Sequence, residues 1–172
     1  MKPLLVLLET SVLSRSSEYA VRALTYLALR ENRGYCLSRT VAEDLRIPAP
    51  FLGKVLQALV GRGLLSSHRG RAGGFRLARP AAEIRVAEIV EAFDDIESQR
   101  CVLGQAECTD ENACPLHSEW CNVRDRFVNR LREMSLADLA REANEAPTST
   151  GSSFPYEQRI ANTGMRASFS TE

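Results

Sequence analysis

Residues 45–82 read LRIPAPFLGKVLQALVGRGLLSSHRGRAGGFRLARPAA, a proline turn, an amphipathic helix and a glycine-rich basic hairpin in one run. Arg46–Ile47–Pro48 turns the chain, and Pro50 suits a first helical turn, where its missing N–H leaves no bond unmade. From about Ala49 the apolar residues Leu52, Val55, Leu56 and Leu59 recur at helical spacing and face inward, leaving Gly53, Lys54 and Gln57 outside. Gly61 to Gly63 ends the helix, with Gly63 a natural left-handed cap. Leu64 and Leu65 open a short strand, Phe75 and Leu77 alternate about Arg76 in a second, and Arg69 to Gly74 connects them. This order predicts a mainly α fold, a winged helix-turn-helix with a short β-hairpin wing.

The chain has 172 residues and a formal net charge of zero, which argues against a nonspecific polycation. The average conceals an asymmetry. Between Leu45 and Ala82 there is no acidic residue, while Arg46, Lys54, Arg62, Arg69, Arg71, Arg76 and Arg79 are basic. From Glu83 to Glu119 the balance reverses, with only Arg85 and Arg100 against a run of carboxylates. A basic block followed by an acidic one marks two tasks, and the basic one reads as double-stranded DNA binding. Ala49, Pro50, Lys54 and Gln57 are the residues that the recognition helix would present to the major groove. Gln57 can pair with adenine or simply face solvent. Arg69 and Arg71 of the wing would reach the minor groove or the phosphates, with Arg76 in the same basic surface.

Two helices precede this block. Ser16 or Ser17 is the expected N-cap of the first, which would run to about Arg30 on the face Ala20, Ala23, Leu24 and Leu27. The second starts around Ser38 to Thr40, with Thr40 and Glu43 spaced for a capping box. After Pro80, the residues Val86, Ile89, Val90 and Phe93 give a short amphipathic helix. Further on, Leu116, Trp120, Val123, Phe127, Leu131 and Met134 recur every three or four residues, a helix of about five turns with a charged opposite face. So long a stripe needs a cover, either the protein's own core or a second copy; the limited apolar surface of a winged domain favours a homodimer through residues 115–134. Trp120 reads as an anchor on that stripe. Ser135 is expected to cap a brief turn through Leu136 and Leu139. From about Glu145 the sequence is rich in Ser, Thr, Pro and Gly and reads as a disordered tail.

Between the last two helices lies CVLGQAECTDENACPLH, residues 101–117. Cys101, Cys108, Cys114 and His117 are separated by six, five and two residues in a polar stretch without apolar period. Thiolates and an imidazole are donors that suit an iron–sulfur cluster or zinc, and the spacing alone does not choose between them. Five cysteines, three of them clustered, indicate a reducing cytoplasm more than a disulfide scaffold. Cys36 stands apart and reads as a small packing residue. His68 and His117 are the only histidines, and neither has a neighbouring nucleophile and carboxylate, so an enzyme is not expected and there are no catalytic candidates. The apolar run after Met1 is too short to span a membrane. Residues 1–12 read as an extension, 13–80 as the DNA-binding domain, 81–143 as connecting helix, cysteine loop and dimerisation helix, and 144–172 as the tail.

SRSSEYAVRALTYLA, the helix through FLGKVLQAL, the hairpin GLLSSHRGRAGGFRLARP and the loop ending CPLHSEW, in that order from Leu13 to Ala140, resemble the Rrf family of bacterial winged-helix transcriptional regulators. The resemblance implies a homodimer on a pseudo-palindromic operator. It also implies an iron–sulfur cluster, [2Fe-2S] or [4Fe-4S], whose presence or oxidation state alters DNA binding in response to iron, oxidants or nitric oxide. Members that carry a cluster hold it by three cysteines and a histidine, which match Cys101, Cys108, Cys114 and His117 here, with one extra residue in the first gap. Other members bind no cluster or use an acidic ligand from the partner's first helix. Cys121, one helical turn after His117, is an alternative fourth ligand. Gly53 stands where related regulators carry glutamate, so their base preference does not transfer. A structural zinc at the same four residues is the other reading of the loop, and an iron–sulfur assembly or electron-transfer partner a third.

Overall fold

The computed structural model describes residues 12–70, 73–97, 101–105 and 108–145. It contains α1 (Arg15–Ala28), α2 (Ser38–Leu45), α3 (Ala49–Gly61), β1 (Leu65–His68), β2 (Gly74–Leu77), α4 (Val86–Val90), α5 (His117–Glu133) and α6 (Leu136–Glu145). The two strands pair antiparallel, Leu65 opposite Leu77 and Ser67 opposite Phe75. The architecture is the expected one, mostly helical with a two-stranded wing.

Several boundaries differ from the sequence expectation, each for a local reason. The N-cap of α1 is Ser14, whose hydroxyl accepts from the Ser17 N–H at 3.2 Å. Ser17 is instead fully buried, and its own hydroxyl donates to the Val90 carbonyl, tying α1 to α4. The helix ends at Ala28, short of Arg30. The Thr40–Glu43 capping box does not form, because α2 already starts at Ser38. Cys36 exchanges two 2.9 Å backbone bonds with Phe75, so extended chain runs up to the helix and leaves Thr40 inside it. Glu43 pairs with Arg39 one turn earlier.

Turns at both ends of α3 use the same device. Arg46 is left-handed (φ 54°) and Ile47 donates back to Ala42; Gly63 is left-handed (φ 72°) and Leu64 donates back to Leu59. These six-to-one bonds satisfy carbonyls orphaned at a helix end and set the direction of the next element. Between them Leu52, Val55, Leu56 and Leu59 are buried as the periodicity predicts, in one core with Ala20, Ala23, Leu24 and Leu27 of α1 and Val41 and Leu45 of α2.

Beyond the wing the differences are larger. Helix α4 stops at Val90, so Phe93 lies in the turn after it, partly buried against the main core. Ser135 caps not a brief turn but the ten-residue α6: its hydroxyl accepts from the Asp138 N–H and donates to the Asp138 carboxylate. Leu136 is completely buried in the main core, and its N–H donates to Ile84 while the Val86 N–H donates to Met134. That bridge pins the end of α5 beside the start of α4.

Helix α5 has the length expected, 17 residues, but only part of its apolar stripe is covered. Leu131 and Val128 are buried, whereas Leu116, Val123 and Phe127 remain 46%, 50% and 37% exposed. Among the described residues, the buried side chains of α5 lie in its last turns. The expected tail begins within α6, which includes residues 144 and 145; residues 146–172 and the first eleven lie outside the described residues. Among the described residues no helix is long and apolar enough to cross a membrane.

Candidate DNA interface and cysteine centre

On α3 the buried face leaves Ala49, Pro50, Lys54 and Gln57 exposed, as helical phase predicts. Arg69 is exposed at the end of β1, and Arg71 lies outside the described residues. Arg76 is exposed on β2, with its guanidinium 4.8 Å from the centroid of the Tyr35 ring. Tyr35 and His68 rings lie 5.6 Å apart, so the base of the wing is braced by aromatic contacts. Gly74, at φ 138°, makes that brace feasible: a Cβ there would sit 2.2 Å from the Cys36 carbonyl oxygen.

Two exposed side chains on this surface were not singled out by sequence. Arg39 on α2 is almost fully exposed apart from its pairing with Glu43. Phe51, in the first turn of α3, keeps 40% exposure although helical spacing alone would assign it no role.

The second site sits where the loop after residue 100 meets the start of α5. The sulfurs of Cys101, Cys108 and Cys114 all lie within 4.8 Å of one another, with Cys101 and Cys114 3.6 Å apart. Cys108 and Cys114 are buried and Cys101 is half-buried. His117 opens α5, its N–H donating to the Cys114 carbonyl at 3.0 Å, and its Nδ1 lies 3.1 Å from Cys108 Sγ. Its Nε2 faces elsewhere, 3.1 Å from an Asp110 carboxylate oxygen and 3.6 Å from Cys121 Sγ. Asp110 was not found by sequence, since nothing in the loop spacing distinguishes it from Glu111.

Burial opposes ionisation of Cys101, but the backbone N–H groups of Gln105 and Leu103 and the neighbouring Cys114 and Cys108 thiols outweigh it and hold its pKa below the ordinary thiol value. Burial and the sulfurs of Cys101 and Cys108 push Cys114 the other way, against the Leu116 N–H. Such a group of thiols shares negative charge poorly on its own and well around a cation. The donor chemistry fits a thiophilic metal: three sulfurs, an imidazole nitrogen, and a carboxylate on the second ring nitrogen, the usual orienting partner of a ligating histidine.

The family model Rrf2, described as "Iron-dependent Transcriptional regulator", matches residues 13–142. The HTH-type transcriptional regulator IscR of Photorhabdus laumondii is 33% identical over 128 residues, covering 74% of this chain and 77% of the relative. IscR of Escherichia coli is 30% identical over 128 residues, covering 74% and 78%. Among solved structures, T. potens IscR matches with a TM-score of 0.63 at 26% identity, over 83% of this chain and 95% of that one. CymR, the global cysteine regulator of B. subtilis, matches at 0.64 with 22% identity over 75% and 95%, a likeness of fold. These relatives are regulators, not enzymes. With helix-turn-helix, wing and cysteine loop all inside the matched span, the chain belongs to the Rrf2 family of winged-helix, DNA-binding transcriptional regulators.

Proposed function

We propose that this chain acts as a homodimer whose affinity for a pseudo-palindromic operator is set by an iron–sulfur cluster at Cys101, Cys108, Cys114 and His117. The convergence of three thiols within 4.8 Å, at the foot of the helix with an uncovered apolar face, carries this reading. When bound, such a cluster supplies a centre that responds to iron supply, oxidants or nitric oxide; [2Fe-2S] is the favoured form and [4Fe-4S] the other. The protein's own part is mechanical. Cys101, Cys108 and Cys114 belong to the loop and His117 to the start of α5, so holding one group among them joins loop to helix. Through the bridge of Leu136 to Ile84 and Val86 to Met134, the other end of α5 is tied to the segment beside the winged domain. Operator half-sites lie about 34 Å apart or a multiple of it, so the angle at which two α5 helices pack decides whether both α3 helices fit.

His117 would contribute Nδ1, with Asp110 on Nε2, and Cys121 is then on the far edge of the ring from Cys108. We assign operator contact to Ala49, Pro50, Lys54, Gln57, Arg69, Arg71 and Arg76, in a domain spanning 13–80, and dimerisation to the helix of residues 115–134 within the segment 81–143. The work takes place in the cytoplasm, where DNA is present and thiols stay reduced.

A structural zinc is the second reading, favoured by one observation. Two ligands about 2.3 Å from a tetrahedral ion stand about 3.8 Å apart, close to the 3.6 Å between Cys101 and Cys114. Duplex binding separates the readings. Cluster control predicts that oxidation or nitric oxide changes operator affinity and that Cys101→Ala, Cys108→Ala and Cys114→Ala each abolish the response; a structural zinc predicts loss of fold in those variants and no response in the parent.

A further inference from the structure

The recognition helix begins on Ala49, Pro50 and Phe51, three exposed residues without a hydrogen-bonding side chain. Base readers in the major groove are usually amides, guanidinium groups or carboxylates. The helix start also offers few backbone donors to a phosphate. Pro50 has no N–H, and the N–H groups of Phe51 and Leu52 both donate to the Pro48 carbonyl at 3.0 Å. What it does offer is a ring. Phe51 is the one large hydrophobic side chain left exposed between Ser38 and Glu97 among the described residues.

That ring is held in place. Tyr19 of α1 meets it edge to face, with 5.5 Å between centroids and 89° between planes. Packing on one side fixes the ring before any partner arrives, so covering the other side costs little further side-chain entropy. The exposed neighbours Arg46 and Lys54 are cationic, and no carboxylate occurs from Leu45 to Ala82. An apolar surface in that setting suits an apolar group carried by a polyanion. Major-groove edges present one such group, the C5 methyl of thymine.

Resting on the operator-binding reading above, the geometry points to Phe51 as a specificity-determining residue that reads thymine. The exposed edge of its ring packs on a thymine methyl, once in each half-site, and supplies selectivity that the single amide of Gln57 does not.

The full chain, metal-loaded and metal-stripped, would be used to enrich duplexes from a randomised pool. Each thymine of the enriched duplex is then replaced in turn by deoxyuridine, which removes the methyl and leaves every hydrogen-bonding group. At one thymine per half-site, uracil is expected to weaken wild-type binding about fourfold, the worth of one buried methyl. Phe51→Ala should bind more weakly and treat thymine and uracil alike at that position, and Phe51→Leu should keep part of the preference. Tolerance of uracil at every position by the wild type overturns the proposal, whether or not Phe51→Ala folds. So does a uracil penalty that persists in folded Phe51→Ala. Enrichment of no duplex at all removes the operator reading and this proposal with it; an enriched duplex indifferent to uracil removes this proposal alone.

Discussion

Asp110 holds a carboxylate oxygen 3.1 Å from Nε2 of His117, while Nδ1 of the same ring lies 3.1 Å from Cys108 Sγ. On the proposed reading, in which His117 is the fourth ligand, the carboxylate leaves Nδ1 as the nitrogen that binds the metal. Asp110→Ala should keep all four ligands and still lower metal affinity by about 10–100-fold, read by competition with a chromophoric chelator. Affinity equal to that of the parent would mean that His117 is not oriented in this way.

The uncovered face of α5 makes a second claim. Val123 is half-exposed in the single chain, so Val123→Glu should leave monomer unfolding nearly unchanged. In sedimentation velocity at micromolar concentration the parent should run as a dimer and the variant as a monomer. A monomeric parent would remove the half-site argument.

Two glycines should respond in opposite senses to alanine. A Cβ on Gly53, inside α3, would meet no atom within 4 Å, so Gly53→Ala should stabilise the fold by about 1 kcal/mol through helix propensity. At Gly74 the same change strains a positive φ and drives a Cβ into the Cys36 carbonyl, for a loss of roughly 3 kcal/mol. Urea midpoints of the two variants, one above and one below the parent, check both signs.

Glu88 gives a pH dependence. Burial opposes its ionisation, but the Arg85 N–H and the Arg79 guanidinium outweigh that and hold its carboxyl below the usual range. A depressed folded pKa gives stability that is present above the unfolded value and lost as pH falls through the folded one. Glu88→Gln should therefore be less stable than the parent near neutrality, by about 1 kcal/mol or less because the pair is 38% exposed on the Glu88 side. The gap should close as pH drops below the carboxylate range. A gap that stays constant in urea titrations across that range would contradict the assignment.

The helix-turn-helix and wing were legible because their signals are local. Leu52, Val55, Leu56 and Leu59 set the phase of α3, and Gly63 set its end. The misread boundaries depended on contacts far along the chain. Thr40 fails to cap α2 because Phe75 reaches back to Cys36, and Ser17 is buried because Val90 accepts its hydroxyl. Helix α6 was underestimated because its place is fixed by Leu136 inserting into a core built largely from α1 to α3 and the wing, which no short window of sequence displays. At the cysteine loop the ligand candidates were readable by residue type. The partner of the second imidazole nitrogen, Asp110, became evident only in three dimensions.

An anaerobic ultraviolet–visible spectrum of the purified chain, with iron, sulfide and zinc quantified on the same sample, decides whether the cysteine centre holds a cluster. Cluster control predicts visible charge-transfer bands with iron and sulfide in matching amounts, absent from Cys101→Ala, Cys108→Ala and Cys114→Ala. A colourless protein carrying stoichiometric zinc, or no metal, would contradict it.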